Sequence, residues 1–161
     1  MKRCVTCKAV GTVRPVRERY VDEFFLADGR ALAFEFDDFP QEVCSKCGER
    51  YVAAPDMQRA EIATTRELVA QGVRDPAVFR WLRKMIRLKA AELADLLGVT
   101  PETISHWENG HSEPDRAVWS TLGELVLEHY AGSTATMDRL RKLAEAREPK
   151  RRVKLSLATS G

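Results

Sequence analysis

Residues 89–115 read KAAELADLLGVTPETISHWENGHSEPD. Leu93, Ala94 and Leu97 recur at helical spacing and face inward from a short helix. Gly98 then supplies the positive φ of a turn and Val99 plugs the corner. Thr100 caps a second helix with Pro101 at its first position, and Ile104 and Trp107 pack inward from it. Ala94, just ahead of the glycine turn, is small enough to let two helices cross closely. This is the spacing of a helix-turn-helix.

Working outward, Asp75-Pro76 is a helix start, and Val78, Leu82, Met85 and Ile86 make one apolar face of the helix before the motif. Downstream, residues 115–130 (DRAVWSTLGELVLEHY) form a strongly apolar helix. Its Val118, Trp119, Leu122, Leu125, Val126 and Tyr130 spread too widely for one core face, and the surplus points to a dimer interface. A last helix over about 134–146 carries Met137, Leu140, Leu143 and Ala144. Ended by Trp107-Glu108-Asn109-Gly110 and Pro114, the pattern resembles the Xre/Cro repressor class, which implies DNA binding by a five-helix domain. The same fold also serves as a dimerisation or docking module. One departure leans that way: most relatives have a Gln near the start of the second helix that contacts DNA, and Ala90 stands there.

In helix-turn-helix geometry the recognition helix, about 101–109, lies in the major groove with its N-terminal half toward the bases. Glu102, Thr103, Ser105 and His106 then point outward or sideways and are the base-contact candidates. By resemblance, Glu102 and His106 fall where a relative has Asn and Arg. Glu accepts from cytosine N4, His donates to guanine N7 or O6, and Thr103 meets a thymine methyl. Phosphate candidates are Arg87, Lys89, Thr100, Asn109 and His111, with solvated surface as the alternative for each.

The first 55 residues carry a different signal. All four cysteines fall in two C-x-x-C pairs, Cys4 with Cys7 and Cys44 with Cys47. Two such turns complete a tetrahedral shell of thiolates, which suits one structural Zn2+ per chain. A catalytic or redox centre needs an open coordination position or a free dithiol, and His106, His111 and His129 are far away in sequence. Between the pairs, residues 15–26 and 31–39 read as strands around the Asp28-Gly29 hairpin signal, with Leu32, Phe34 and Phe36 on one face. Lys2, Arg3, Lys8, Lys46 and Arg50 either offset the charge of the metal site or are solvated. Pro55-Asp56 then offers Asp56 as N-cap of a connecting helix over about 57–71, ending at Gly72, with Met57, Ala60, Ile62, Ala63, Leu68 and Val69 as a loose stripe.

The expected fold class is α+β in two domains: an N-terminal β-hairpin zinc ribbon (1–55), a linker helix (56–74) and an all-α Xre-type domain (75–146), followed by a tail (147–161). In that order the parts resemble the MqsA (YgiT-type) antitoxins. The resemblance implies a zinc domain that binds a cognate toxin, an RNase, and a C-terminal domain that forms a homodimer on double-stranded operator DNA and represses its own operon. Exposed hairpin residues such as Phe24 or Phe25 are candidates for the toxin surface. A stand-alone zinc-containing transcriptional regulator is the alternative.

Charge and composition set the remaining limits. The 161 residues hold 26 Lys or Arg and 24 Asp or Glu, a net +2 that does not announce a nucleic-acid binder. The sum conceals an uneven distribution, because residues 131–161 carry eight basic against three acidic side chains while 76–130 carry six against eight. Lys150, Arg151, Arg152 and Lys154 cluster in the tail, which reads either as a phosphate-tracking arm or as a disordered solubilising segment. No apolar run approaches the roughly 20 residues of a membrane span, and MKRCVTCKAV lacks the apolar core of a signal peptide, so a cytoplasmic location is expected. There is no catalytic His-Cys-Asp cluster or phosphate-cradling glycine loop, and Asp37-Asp38 reads as a solvated turn at a strand end, so no enzyme is expected.

Overall fold

The computed structural model describes residues 1–145, 148–149 and 152–154. A long antiparallel hairpin, β1 (Val13–Phe25) and β2 (Ala31–Cys44), is extended at its open end by the short β3 (Arg50–Tyr51) in the order β1-β2-β3. Six helices follow among the described residues: α1 (Ala54–Ala70), α2 (Pro76–Met85), α3 (Ala90–Leu97), α4 (Pro101–Glu108), α5 (Arg116–Tyr130) and α6 (Ala135–Ala144). The helix-turn-helix is α3 and α4, joined at Gly98 with φ 68°. Among the described residues no helix is long and apolar enough to cross a membrane. The reading of a basic tail falls partly outside the described residues, Lys150 and Arg151 included.

The hairpin is longer than its alternating stretch, because β2 runs on from Phe39 to Cys44 and pairs Cys44 with Val13. The register slips within it: Glu18 faces Phe39 but Tyr20 faces Phe36, so Asp37 and Asp38 on β2 oppose Arg19 alone. The aspartates therefore form a bulge inside a strand rather than a turn at its end, with Asp38 at φ 52° and bonded to Arg17. The extra residue changes the parity of the strand. Leu32, Phe34 and Phe36 before the bulge and Phe39 and Gln41 after it thus share the covered face. Tyr20 stacks on Phe39 there, with ring centroids 4.7 Å apart.

Helix α1 begins three residues earlier than the sequence suggested. Ala53 occupies the N-cap without a side-chain bond, and Asp56 lies inside the first turn, paired with Arg59. Its buried positions are Ala60, Thr64, Thr65 and Leu68, so two threonines sit where an apolar stripe was expected and Ala63 is exposed. Thr65 is satisfied by donating to the Glu61 carbonyl at 2.6 Å and accepting from the Trp81 indole at 3.0 Å. Gly72 ends the helix in the left-handed region, with φ 63°.

One apolar core joins the five C-terminal helices to what precedes them. Phe79, absent from the stripe read on α2, is its fully buried centre and meets the edges of Trp107 and Trp119 at 5.6 and 5.4 Å. Leu68 of α1 and Leu26 at the hairpin tip belong to the same cluster. Asp75 ties the parts together with one carboxylate. It caps α2 by accepting from Ala77 N at 2.8 Å and also accepts from Ala27 N at 3.1 Å. The wide apolar arc of α5 has an intramolecular explanation: α2 covers one side, and α1 crosses so closely that a Cβ on Gly123 would lie 3.1 Å from Val69. Leu122, Leu125 and Val126 are buried within the chain, so they offer no surplus to a dimer interface.

Candidate metal centre and nucleic-acid interface

The open end of the hairpin is built from one turn used twice. Cys4 N donates to Ala9 O and Lys8 N to Cys4 O, while Cys44 N donates to Glu49 O and Gly48 N to Cys44 O, all at 2.8–3.0 Å. The residue after each second cysteine takes positive φ, 60° at Lys8 and 74° at Gly48. Pairing of Val13 with Cys44 and the Arg3–Val10 bridge hold the two turns face to face. The four sulfurs lie within 4.8 Å of one another, with Cys4–Cys47 at 3.6 Å and Cys7–Cys44 at 3.7 Å. A tetrahedron of thiolates about 2.3 Å from a central ion has edges of about 3.8 Å, so these separations fit a tetrahedral metal. They are far too long for disulfides. The four cysteines can hold a metal ion.

Two hydroxyls, unremarked in the sequence, complete this centre. Tyr51 Oη lies 3.0 Å from Cys4 Sγ, and Thr12 Oγ1 lies 3.2 Å from Cys44 Sγ. The Tyr51 hydroxyl, with the backbone N–H of Cys7, brings the Cys4 thiol from its usual 9 down to about 6. The Thr12 hydroxyl lowers Cys44 in the same way. The backbone N–H of Glu49 pulls Cys47 down, but burial and the adjacent thiols outweigh it and push Cys47 up to about 12. Four thiolates this close do not all ionise unless a cation sits among them. Of the nearby basic residues, Lys2 pairs with Glu42 and Arg50 with Glu18, so these two answer surface carboxylates.

In the helical half, the recognition helix α4 is capped by Thr100, whose Oγ1 accepts from Thr103 N at 3.2 Å and lies 3.0 Å from Thr103 Oγ1. Ile104 and Trp107 point inward as expected. Glu102 and His106 share the outer face, with His106 Nε2 3.9 Å from Glu102 Oε1. His111, expected near phosphates, brings its ring 5.6 Å from His106 and perpendicular to it, so the two imidazoles form one group. Ser105 is exposed beside them. Arg87 and Lys89 are exposed ahead of α3, and Arg87 takes φ 57°, a strained conformation for a non-glycine residue. Asn109 is already committed. Its amide donates to Ser105 O at 2.8 Å and its oxygen accepts from Arg80 at 2.9 Å.

A buried ion pair fixes α4 in place. Arg83 Nε donates to Glu108 Oε1 at 2.6 Å and its Nη1 to Leu88 O at 2.7 Å, with the two side chains only 12% and 9% exposed. Arg80 reaches the Glu108 carbonyl from the other side. Periodicity could have found the pair, since Arg83 falls one turn after Phe79 and Glu108 one turn after Ile104, each on the face of a buried residue.

A family model described as Helix-turn-helix matches residues 79–124, which run from within α2 to within α5 and contain the whole of α3 and α4. A search of curated proteins finds no match to the chain. The chain carries an Xre-type helix-turn-helix domain, and with it the equipment of a DNA-binding transcriptional regulator.

Proposed function

We propose that this regulator is the antitoxin of a toxin-antitoxin pair, with Zn2+ in the cysteine centre and a cognate RNase toxin on the N-terminal hairpin. Its helix-turn-helix represses its own operon. The observation that carries this reading is the conjunction of a four-thiolate centre on a long hairpin with a DNA-reading domain on which the hairpin tip is seated through Leu26 and Asp75. A thiolate-only shell with no oxygen or nitrogen donor favours Zn2+ and a structural role. The protein performs no catalysis and works in the cytoplasm. Glu102 and His106 read base edges, Ser105 and Thr103 flank them, and Arg87 and Lys89 hold phosphates. A homodimer formed by the C-terminal domain spans two half-sites about one helical turn apart.

Co-expression with the adjacent gene, followed by copurification and growth rescue, tests the toxin. Metal analysis of the pure protein should give one zinc per chain. Selection from a random duplex library should return a palindrome, and His106→Ala should lose preference at one base position per half-site while keeping its zinc. A palindrome and a zinc without any toxin partner would leave a stand-alone regulator in place of the antitoxin.

A further inference from the structure

A groove lies away from both the sulfur cluster and the reading helix, where α1 meets α2 and α5. It encloses about 550 Å³, within the range of small-ligand sites. Its wall is apolar: Leu68 and Leu82 at the bottom are 1% and 2% exposed, and Trp119 and Leu127 of α5 flank them. Its mouth is charged. Arg74, on the segment between α1 and α2, and Arg116, at the first position of α5, both line it and are exposed. Neither guanidinium has a hydrogen bond or ion pair to any described residue, in contrast to Arg80 and Arg83, which are bonded to Asn109 and Glu108. Glu124 is the single carboxylate on the rim, so the mouth keeps a positive excess.

We propose that this groove binds a small amphipathic carboxylate, an aromatic or medium-chain alkyl acid whose body lies against Trp119 and the leucines and whose anionic end sits between Arg74 and Arg116. The volume suits a ligand of that size, and the indole and leucines of the lining suit an apolar body. A planar guanidinium donates two parallel hydrogen bonds to a carboxylate, and the two arginines lining the mouth fix which end of the ligand faces out. Because the wall belongs partly to the linker helix and partly to the DNA-reading domain, an occupied groove fastens α1 to α5. This inference stands on the groove alone and does not depend on a toxin partner.

The test titrates the full chain with 2-naphthoate and with decanoate, reading tryptophan fluorescence and heat, alongside the corresponding amides. Saturable one-to-one binding of at least one acid is expected, with its amide weaker by about tenfold or more, the loss of a charge-assisted bond. In Trp119→Phe the fluorescence change should vanish while the heat remains. The double variant Arg74→Glu/Arg116→Glu, both residues being exposed, should keep its circular dichroism, lose the acid and gain affinity for decylamine. No saturation by either acid up to about 1 mM, equal binding of acid and amide, or an unaltered double variant would each overturn the proposal. So would acid affinity that falls as protein concentration rises, the sign of a second copy filling the groove.

Discussion

Glu108→Gln tests whether the recognition helix is held by a desolvated ion pair. Gln keeps the shape and one acceptor but removes the charge facing Arg83. The two side chains are only 12% and 9% exposed, so the large cost of breaking a buried pair applies, rather than the 0–1 kcal/mol of a surface one. That cost is about 3–5 kcal/mol, because Arg83 stays charged and buried with only neutral acceptors, the Leu88 carbonyl and the substituted amide oxygen. Arg80 offsets little, being 43% exposed and 3.6 Å from the carboxylate. With a urea slope of about 1.5 kcal/mol/M, a loss of about 3 kcal/mol lowers the unfolding midpoint by about 2 M. Trp107, next to Glu108 in α4 and stacked edgewise on Phe79, makes intrinsic fluorescence a direct probe of that transition. The pair replaced whole, Arg83→Met with Glu108→Leu, should return to within about 1 kcal/mol of the parent, since apolar side chains of similar volume often substitute for a buried pair without loss. A loss under about 1 kcal/mol in Glu108→Gln would refute the reasoning, because it would mean that water screens the pair.

Three further outcomes follow from individual contacts. Asp75→Ala should cost about 2 kcal/mol in urea unfolding, from a lost N-cap and a lost bond to Ala27, while Asp75→Asn, which retains an acceptor oxygen, should cost under half of that. Tyr51→Phe should weaken metal binding by about 10-fold or more in a chelator competition, since its hydroxyl is the outer partner of Cys4, with the secondary structure of the loaded protein unchanged. Arg87→Gly should stabilise the fold by about 0.5 kcal/mol by relieving a left-handed residue, yet weaken DNA binding and reduce its salt slope by about 1 if that arginine holds a phosphate.

What was legible in the sequence was what local chemistry specifies. The sulfur cluster follows from two turns whose residues are adjacent in the chain, and the α3–α4 turn from Gly98, Thr100 and Pro101 within four positions. The two C-x-x-C turns differ in one informative way: Gly48 takes positive φ freely, while Lys8 does so under strain, so only one of them carries the expected punctuation. Features that depend on which distant segments meet were not legible. Nothing near Asp75 shows that its carboxylate also receives Ala27, and nothing near Thr64 and Thr65 shows that α2 and the hairpin will cover them. The Asp37-Asp38 bulge was hidden for another reason. Two acidic residues beside Phe39 look like the end of an alternating strand, whereas the strand continues with its parity reversed.

The structure also changes the meaning of the charge count in the reading domain. Residues 76–130 contain six cations, Arg80, Arg83, Lys84, Arg87, Lys89 and Arg116. Arg80 and Arg83 are spent on Glu108 and Asn109, and Arg116 faces the groove beside α1. Lys84 lines a separate hollow next to Phe25 and Trp81. Only Arg87 and Lys89 remain ahead of α3, where proteins of this geometry approach the phosphate backbone. Each phosphate neutralised releases counterions, so two cationic contacts per chain give a small electrostatic affinity with a shallow salt slope of about −2. Glu102 on the reading face opposes the phosphates further. Under the homodimer proposed above, two copies on one duplex double the phosphate contacts, and the proposed base readers Glu102 and His106 supply the discrimination in each half-site.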